Sequence, residues 1–333
     1  MITINQIARI AGVSRYTASK VLNGDLTVRE TTRRKVMAIC KEFGYVPNLN
    51  AVNLVRGQSN LIGLIVPYIT DGFYCAMIEL LEQRIQQHGY ILIYKSSYND
   101  ARTEEQIIRK FLALKVCSML IVPIVEKPDV RMHRLAVQNI PVVYLDRPFS
   151  DDTYCVLNDN FSSARIMTEH LLQKSPEVVF LDSFYGFRNP TAAARRSGYE
   201  KAMRDHGLLP GIIAGADSGV QQDNEHYAYQ AMTRFFRSGQ SCKALFCVTD
   251  AAAFGAARAV REAGFSPGND FFIGGHDNLR FGEYADPAIT TMAQPIDKIC
   301  DVALNLLFAL LKGETPEPLQ WILPSELIVR KSG

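Results

Sequence analysis

The sequence predicts an α/β protein, in which a small all-α head precedes a body of two doubly wound parallel-sheet lobes. Three observations predict it. Residues 3–43 place apolar side chains at helical spacing around a glycine turn. From Leu61 onward, strand-length Val/Ile/Leu runs alternate with amphipathic stretches of helix length. Charge divides at the same boundary. Residues 1–56 hold nine Lys/Arg against three acids, a net of +6, whereas the remainder holds 27 basic and 31 acidic residues, a net of −4. A basic head on a mildly acidic body points to a polyanion-binding module tethered to something else, although any soluble surface tolerates such an asymmetry.

In the head, Thr3 can cap a helix Ile4–Ala11, with Ile4, Ile7, Ala8 and Ala11 on one face. Gly12 permits a positive φ, and Ser14 can cap a second helix, Arg15–Leu22. Ala18, Val21 and Leu22 of that helix face inward, whereas Arg15, Tyr16, Ser19 and Lys20 face outward. Asn23-Gly24-Asp25 ends it. A third helix, Thr31–Phe43, buries Val36, Ile39, Cys40 and Phe43 before Gly44. Two short helices across a glycine turn, braced by a third, make a helix-turn-helix pattern. Its outward donors suit the major groove, where Lys and Arg reach guanine edges. A plain three-helix bundle with a solvated face satisfies the same pattern. Next come a short segment over Asn48–Val55 and a polar linker, Arg56-Gly57-Gln58-Ser59. Leu54, apolar on an otherwise exposed segment, reads either as a wedge into a minor-groove base step or as packing on the neighbouring domain.

The body's strand runs are Leu61–Val66, Tyr90–Tyr94, Val116–Val122, Ile140–Leu145, Val178–Leu181, Ala244–Val248 and Phe271–Gly274. Between them lie helical stretches, among them Phe73–His88, Thr103–Leu114, Phe161–Leu172, Ala192–His206, Asn224–Phe236 and Ala251–Ala263. That length exceeds one typical core, so two lobes are expected. The wide apolar surface of Pro295–Leu311 places that helix inside the first lobe. Ligands of such sheets bind beyond the strands' carboxyl ends, which here carry a polar set of mixed charge.

The composition, 47% hydrophobic and 21% charged, is ordinary for a globular chain. No apolar run approaches the ~20 residues of a membrane span. Met1-Ile2-Thr3-Ile4 opens no export signal, so a cytoplasmic location is expected. Seven singly spread cysteines read as free thiols. Neither they nor the six histidines show metal-ligand spacing, and no metal or cofactor is expected. The chain has no P-loop, dinucleotide fingerprint or Gly-x-Ser-x-Gly elbow, so an enzyme is not expected. A carbohydrate-binding or carbohydrate-processing protein that reads no DNA sequence is the alternative.

The pattern Ile4-x-x-Ile7-Ala8-x-x-Ala11-Gly12-Val13-Ser14-x-x-Thr17-x-Ser19-x-Val21-Leu22-Asn23, followed by Val28, Thr32, Val36, Gly44-Tyr45-x-Pro47-Asn48 and Leu54, resembles the head and hinge of the lac/gal repressor family. The resemblance continues through Asp71-Gly72-Phe73-Tyr74, Leu145-Asp146-Arg147, Arg195-Arg196-Ser197-Gly198-Tyr199, Asp250-x-x-Ala253-x-Gly255, Gly275-His276-Asp277-Asn278 and Leu327-Ile328-Val329-Arg330. It implies a helix-turn-helix DNA-binding domain at 1–46, a hinge segment at 47–59 and a body similar to periplasmic sugar-binding proteins. The first lobe would comprise 60–159 and 293–319, the second 160–292 and 320–333. It implies that Arg15, Tyr16 and Lys20 read bases and that Leu54 is the intercalating hinge leucine. With phosphate contacts expected from Arg29, Arg33 and Lys35, the candidate DNA-contacting set also includes Thr3, Ser14, Thr17, Ser19, Asn23, Asn48 and Ala51.

For the cleft the resemblance implies that Arg195 and Asp277 hydrogen-bond effector oxygens, with Asp146 nearby. Phe73 and Tyr74 could stack on a sugar face, and Lys95, Arg188 and Thr249 complete the candidate set. Thr249 and His276 depart from the family's frequent Asn and Tyr. Lys95, Arg188 and Arg195 together suggest an anionic sugar phosphate or sugar acid. The expected partners are a pseudo-palindromic double-stranded DNA operator, a small carbohydrate-like effector and a second copy of the chain in a two-fold dimer. No heptad tail follows Arg330, so nothing larger than that dimer is expected.

Overall fold

A computed structural model describes residues 2–22, 24–46, 59–124, 140–184, 186–214 and 223–333. The chain divides into two compact units, Met1–Asn60 and Leu61–Gly333.

Among the described residues of the first unit are three helices, α1 (Ile4–Ala11), α2 (Arg15–Leu22) and α3 (Glu30–Glu42). Thr3 and Gln6 cap α1 reciprocally, and Gly12 ends it at φ +66°, a conformation open to glycine at little cost. Ser14 Oγ accepts from Thr17 N at 3.0 Å and so caps α2. Ile7, Ala11, Val21, Val36, Ile39 and Cys40 form the core. Phe43, expected inside, is 47% exposed because α3 stops at Glu42 and Phe43 turns away as its cap.

The second unit has two six-stranded sheets. The first contains β1 (Leu61–Val66), β2 (Ile91–Ser96), β3 (Ser118–Ile121), β4 (Val142–Leu145), β5 (Cys155–Asn158) and β11 (Gln320–Leu323). Their order is β11-β5-β4-β3-β1-β2, and every pairing is parallel. The second contains β6 (Val178–Leu181), β7 (Gly211–Ile213), β8 (Ala244–Cys247), β9 (Phe272–His276), β10 (Thr290–Ala293) and β12 (Glu326–Ile328). Their order is β12-β10-β9-β8-β6-β7, with only β12 antiparallel.

Helices α4 (Gly72–Gln87), α5 (Ala101–Ala113) and α11 (Ile296–Leu311) belong to the first lobe. Helices α6 (Asn160–Leu172), α7 (Pro190–Asp205), α8 (Asn224–Arg237), α9 (Asp250–Glu262) and α10 (Arg280–Tyr284) belong to the second. Asp71, Asp100, Asp159, Asn189, Asp223 and Thr249 each accept a backbone N–H at a helix start, so the polar residues that end strands also begin helices. Glycine sets the closest approaches. A Cβ on Gly198 of α7 would collide with the Phe161 carbonyl of α6, and one on Gly255 of α9 with the Glu225 carbonyl of α8. As expected, α11 buries Ile299, Cys300, Ala303, Leu304, Leu306 and Leu307 in the first-lobe core.

The chain passes between sheets three times: after β5, after β10 and after β11. The third passage corrects the expected boundary at 319/320. Gln320–Leu323 pairs in register with Cys155–Asn158, and Trp321 and Leu323 pack on the first-lobe core. The second lobe therefore regains the chain only beyond Leu323.

Candidate functional site

Two surfaces carry the predicted functional residues. In the head, Arg15 and Tyr16 are exposed on α2, Tyr16 at 71%, while Ser19 and Lys20 are half-buried beside them. Lys20 Nζ lies 3.1 Å from Asp25 Oδ2 and donates to Thr27 Oγ1 at 3.1 Å. Several other expected contacts are engaged within the head itself. Thr3 and Ser14 are caps, and Thr17 Oγ1 is 2.9 Å from Ser14 Oγ. Arg33 Nη2 donates to the Asp25 carbonyl at 2.7 Å, which braces the turn after α2. Arg29 and Lys35 are exposed at and beyond the start of α3. Asn23, Asn48, Ala51 and Leu54, with all but the last residue of the expected hinge, lie outside the described residues.

In the body, the carboxyl ends of β1, β4 and β9 bring Asp71, Asp146 and Asp277 together, close enough that the charges of Asp277 and Asp146 act on Asp71. Burial first and the Asp277 charge second push the Asp71 carboxyl up to about 7. Asp146 accepts from the Tyr74 hydroxyl at 2.8 Å and lies 3.7 Å from Arg147 Nε. Arg147 in turn donates to the Pro123 carbonyl at 2.9 Å.

Arg195, 4% exposed, sits in α7 behind the second-lobe face. Its Nη1 donates to the Val248 carbonyl at 2.7 Å and its Nη2 lies 3.3 Å from Asp277 Oδ1. Burial raises the Asp277 carboxyl while the Arg195 guanidinium pulls it back down.

This pair is tied to all three interlobe passages. At the first, Arg195 Nε donates to Asn160 Oδ1 at 2.8 Å, and Asn158 Nδ2 reaches the same oxygen at 3.3 Å. At the second, Gln294 Nε2 donates to Asp277 Oδ1 at 2.7 Å. At the third, Ser325 Oγ donates to Asn158 Oδ1 at 2.6 Å. A movement of Asp277 or Arg195 therefore acts directly on side chains at the first two passages and, through Asn160 and Asn158, on Ser325 at the third.

Ser163, His276 and Asp277 fall in the order of a hydrolytic relay, with 2.9 Å from Ser163 Oγ to His276 Nε2 and 3.1 Å from His276 Nδ1 to Asp277 Oδ1. Ser163 is 2% exposed and also donates to the Asn160 carbonyl. Burial, then the Arg195 charge, hold His276 well below the usual histidine range. The bonds among these three buried side chains hold Asp277 from behind.

Other sequence expectations fall elsewhere. Phe73 (6% exposed) and Tyr74 (5%) pack edge to face at 5.5 Å within the first-lobe core, so neither ring offers an open stacking face. Lys95 is exposed on β2, the sheet's edge strand, and Arg188 is exposed in a 3-10 turn. Thr249 caps α9 through Ala252 N at 3.1 Å. Asp250, buried and pushed up to about 7 chiefly by desolvation, accepts from Thr291 Oγ1 at 2.6 Å and Leu279 N at 2.7 Å, and so pins the Asp277 loop. The sequence reading missed Asn158, Asn160, Gln294 and Ser325. Their one local signal is a polar residue at or just past the end of a strand, a position that solvated loops share.

A helix-turn-helix head joined to a two-lobed body whose polar side chains gather at the interlobe passages defines a DNA-binding regulator on a periplasmic-binding-protein scaffold. Residues 3–48 match the model of bacterial regulatory proteins of the lacI family, and residues 62–315 match a periplasmic binding protein domain. The chain belongs to the lacI family of bacterial regulatory proteins and is a DNA-binding transcriptional repressor. It is 32% identical to the HTH-type transcriptional repressor PurR of Proteus mirabilis, over 92% of this chain and 89% of that one. It is 30% identical to the repressor of the same name from Erwinia tasmaniensis, over 100% and 97%. The crystal structure of the lac repressor dimer bound to operator and the anti-inducer ONPF superposes with a TM-score of 0.87 at 24% identity, covering 99% of this chain and 98% of that one. No helix among the described residues is long and apolar enough to cross a membrane.

Proposed function

We propose that this repressor grips a pseudo-palindromic operator as a two-fold dimer, and that a small, neutral, hydroxyl-rich effector in the interlobe cleft sets its operator affinity. The observation that carries this reading is the Arg195–Asp277 pair, bonded to side chains at two interlobe passages and linked through Asn160 and Asn158 to the third. A ligand that takes over one partner of the pair redistributes those bonds, and the lobes reorient. An Arg fork with carboxylates suits a polyol, since each can bridge neighbouring hydroxyls. The cleft groups also bear on charge. Asp146 pairs with Arg147 and Asp277 with Arg195, Asp71 lies near both acids, and Lys95 stands on an outer edge strand. Arg147 and Arg195 are each matched by a carboxylate and burial draws Asp71 toward its neutral form, so neither guanidinium is left unmatched for an anion, and a neutral sugar fits better than the sugar phosphate or sugar acid that the basic residues suggested. Arg15, Tyr16 and Lys20 are assigned to base reading, and Arg29 and Lys35 to phosphates.

The test is retention of genomic fragments by the purified chain, repeated with matched neutral and phosphorylated sugars. A shared pseudo-palindrome whose retention changes with one neutral compound supports the reading. Retention that responds only to the phosphorylated compounds rejects the neutral effector. No enriched sequence rejects operator control altogether and leaves a carbohydrate-binding protein.

A further inference from the structure

The outward lysine of α2 is anchored. Its ammonium is 3.1 Å from Asp25 Oδ2 and 3.1 Å from Thr27 Oγ1, and stands 5.3 Å from the centroid of the Tyr16 ring. Asp25 is itself held from several sides. Its N–H donates to the Lys20 carbonyl at 3.0 Å, and its Oδ1 accepts from Thr27 N at 2.8 Å and Thr27 Oγ1 at 2.6 Å. Its carbonyl accepts from Arg33 Nη2 at 2.7 Å. Helix α2, the following turn and α3 together fix one carboxylate against one ammonium.

An acid here works against binding a polyanion. Asp25 is one of three acids in residues 1–56, and it cancels a unit of the charge that attracts phosphate. What it supplies is direction. Lysine is a point charge on a flexible stem, and a loose ammonium settles on whichever phosphate is near. An ammonium has three donors, so one held by Asp25 and Thr27 can still serve an acceptor on a base edge.

We propose that Asp25 is a specificity-determining positioning residue of the head, whose carboxylate holds the Lys20 ammonium on the base-reading face of α2 and off the phosphate backbone. The proposal rests on the assignment of Lys20 to base reading. Thr27 is the second anchor, since its hydroxyl donates to Asp25 while accepting from Lys20.

The full chain would be titrated with an operator duplex selected from the fragment library and with a scrambled duplex of equal length, over a range of salt. For Asp25→Asn, the ratio of specific to non-specific affinity should fall about tenfold, the scale of one lost base contact. Affinity for the scrambled duplex should rise, and its salt slope should steepen by about 0.9, one added phosphate contact. Thr27→Val, which leaves the charge unchanged, should lower the ratio in the same direction. Removing a charge alone shifts both duplexes together, so in a Lys20→Ala background Asp25→Asn should leave the ratio where Lys20→Ala put it. If Lys20→Ala lowers the ratio while Asp25→Asn and Thr27→Val do not, the positioning role is overturned and base reading stands. A Lys20→Ala ratio equal to the parent's overturns both.

Discussion

Asp277 and Arg195 are set into the body so that neither can be changed alone. Removing one partner of a buried pair leaves the other charged and unmatched, a loss of about 3–5 kcal/mol. Asp277→Asn should therefore lower the thermal midpoint of the body by several degrees as well as blunt the effector response. A variant that melts with the parent would mean Arg195 finds its counter-charge elsewhere. Asp71 gives a pH signature. Its folded pKa is raised from 3.8 to about 7, so the folded state holds this proton more tightly than the unfolded chain. The resulting stability is full below about pH 4 and is lost as pH rises through 7. Asparagine can still accept the Phe73 N–H that Asp71 accepts at 2.9 Å. Asp71→Asn should thus gain on the parent in denaturant midpoint from pH 4 to 7 and keep a constant lead above; a pH-independent offset would contradict the burial argument. Gly275 shows the same tight economy, since a Cβ there would strike the Asp250 carboxylate that pins the Asp277 loop.

At the scale of elements, the head depends on two short helices whose ends are supplied by side chains. Helices of eight residues are too short to stand alone, so their caps and shared core carry them. Ser14→Ala removes the α2 cap and should cost about 1 kcal/mol, read as a lower melting temperature of the head with the body transition unmoved. Loss from the body instead would misplace the effect. For the hinge, Leu54→Ala should weaken operator binding more than binding to a scrambled duplex, because a wedge acts only where a base step opens. Equal losses on the two duplexes would reject the wedge. These elements were readable in advance: α1 and α2 begin and end where Thr3, Gly12 and Ser14 place them, and β1 and β6 match their apolar runs. The strands β5, β10, β11 and β12 were not. They are three or four residues long and include polar residues such as Asn158, Thr290, Gln320 and Glu326, so no local run marks them.

At the scale of the whole molecule, the effector reading is a statement about coupling. Typical coupling between two ligands is about 1–3 kcal/mol, and it must pass through groups that both states contact. Gln294 is such a group, joining the second interlobe passage to Asp277. Gln294→Ala should leave effector affinity within a few-fold but shrink the effector-dependent change in operator affinity. Undiminished coupling in that variant, measured by titrating operator with and without saturating effector, would remove the hinge bonds from the mechanism.

The sequence by itself determined the helix-turn-helix head with its outward Arg15, Tyr16 and Lys20, the basic-to-acidic division, and the alternation of helices with the longer apolar strands of the body. Each of these depends on periodicity, capping or composition within a few residues of itself. Only the tertiary structure decided that Phe73 and Tyr74 face the core, that Lys95 stands on an edge, and that Gln320–Leu323 returns to the first sheet. It alone brought Asn160, Asp277, Gln294 and, through Asn158, Ser325 into one network. Those residues are as much as 167 positions apart, and a hydrogen bond between distant residues leaves no local periodicity to read.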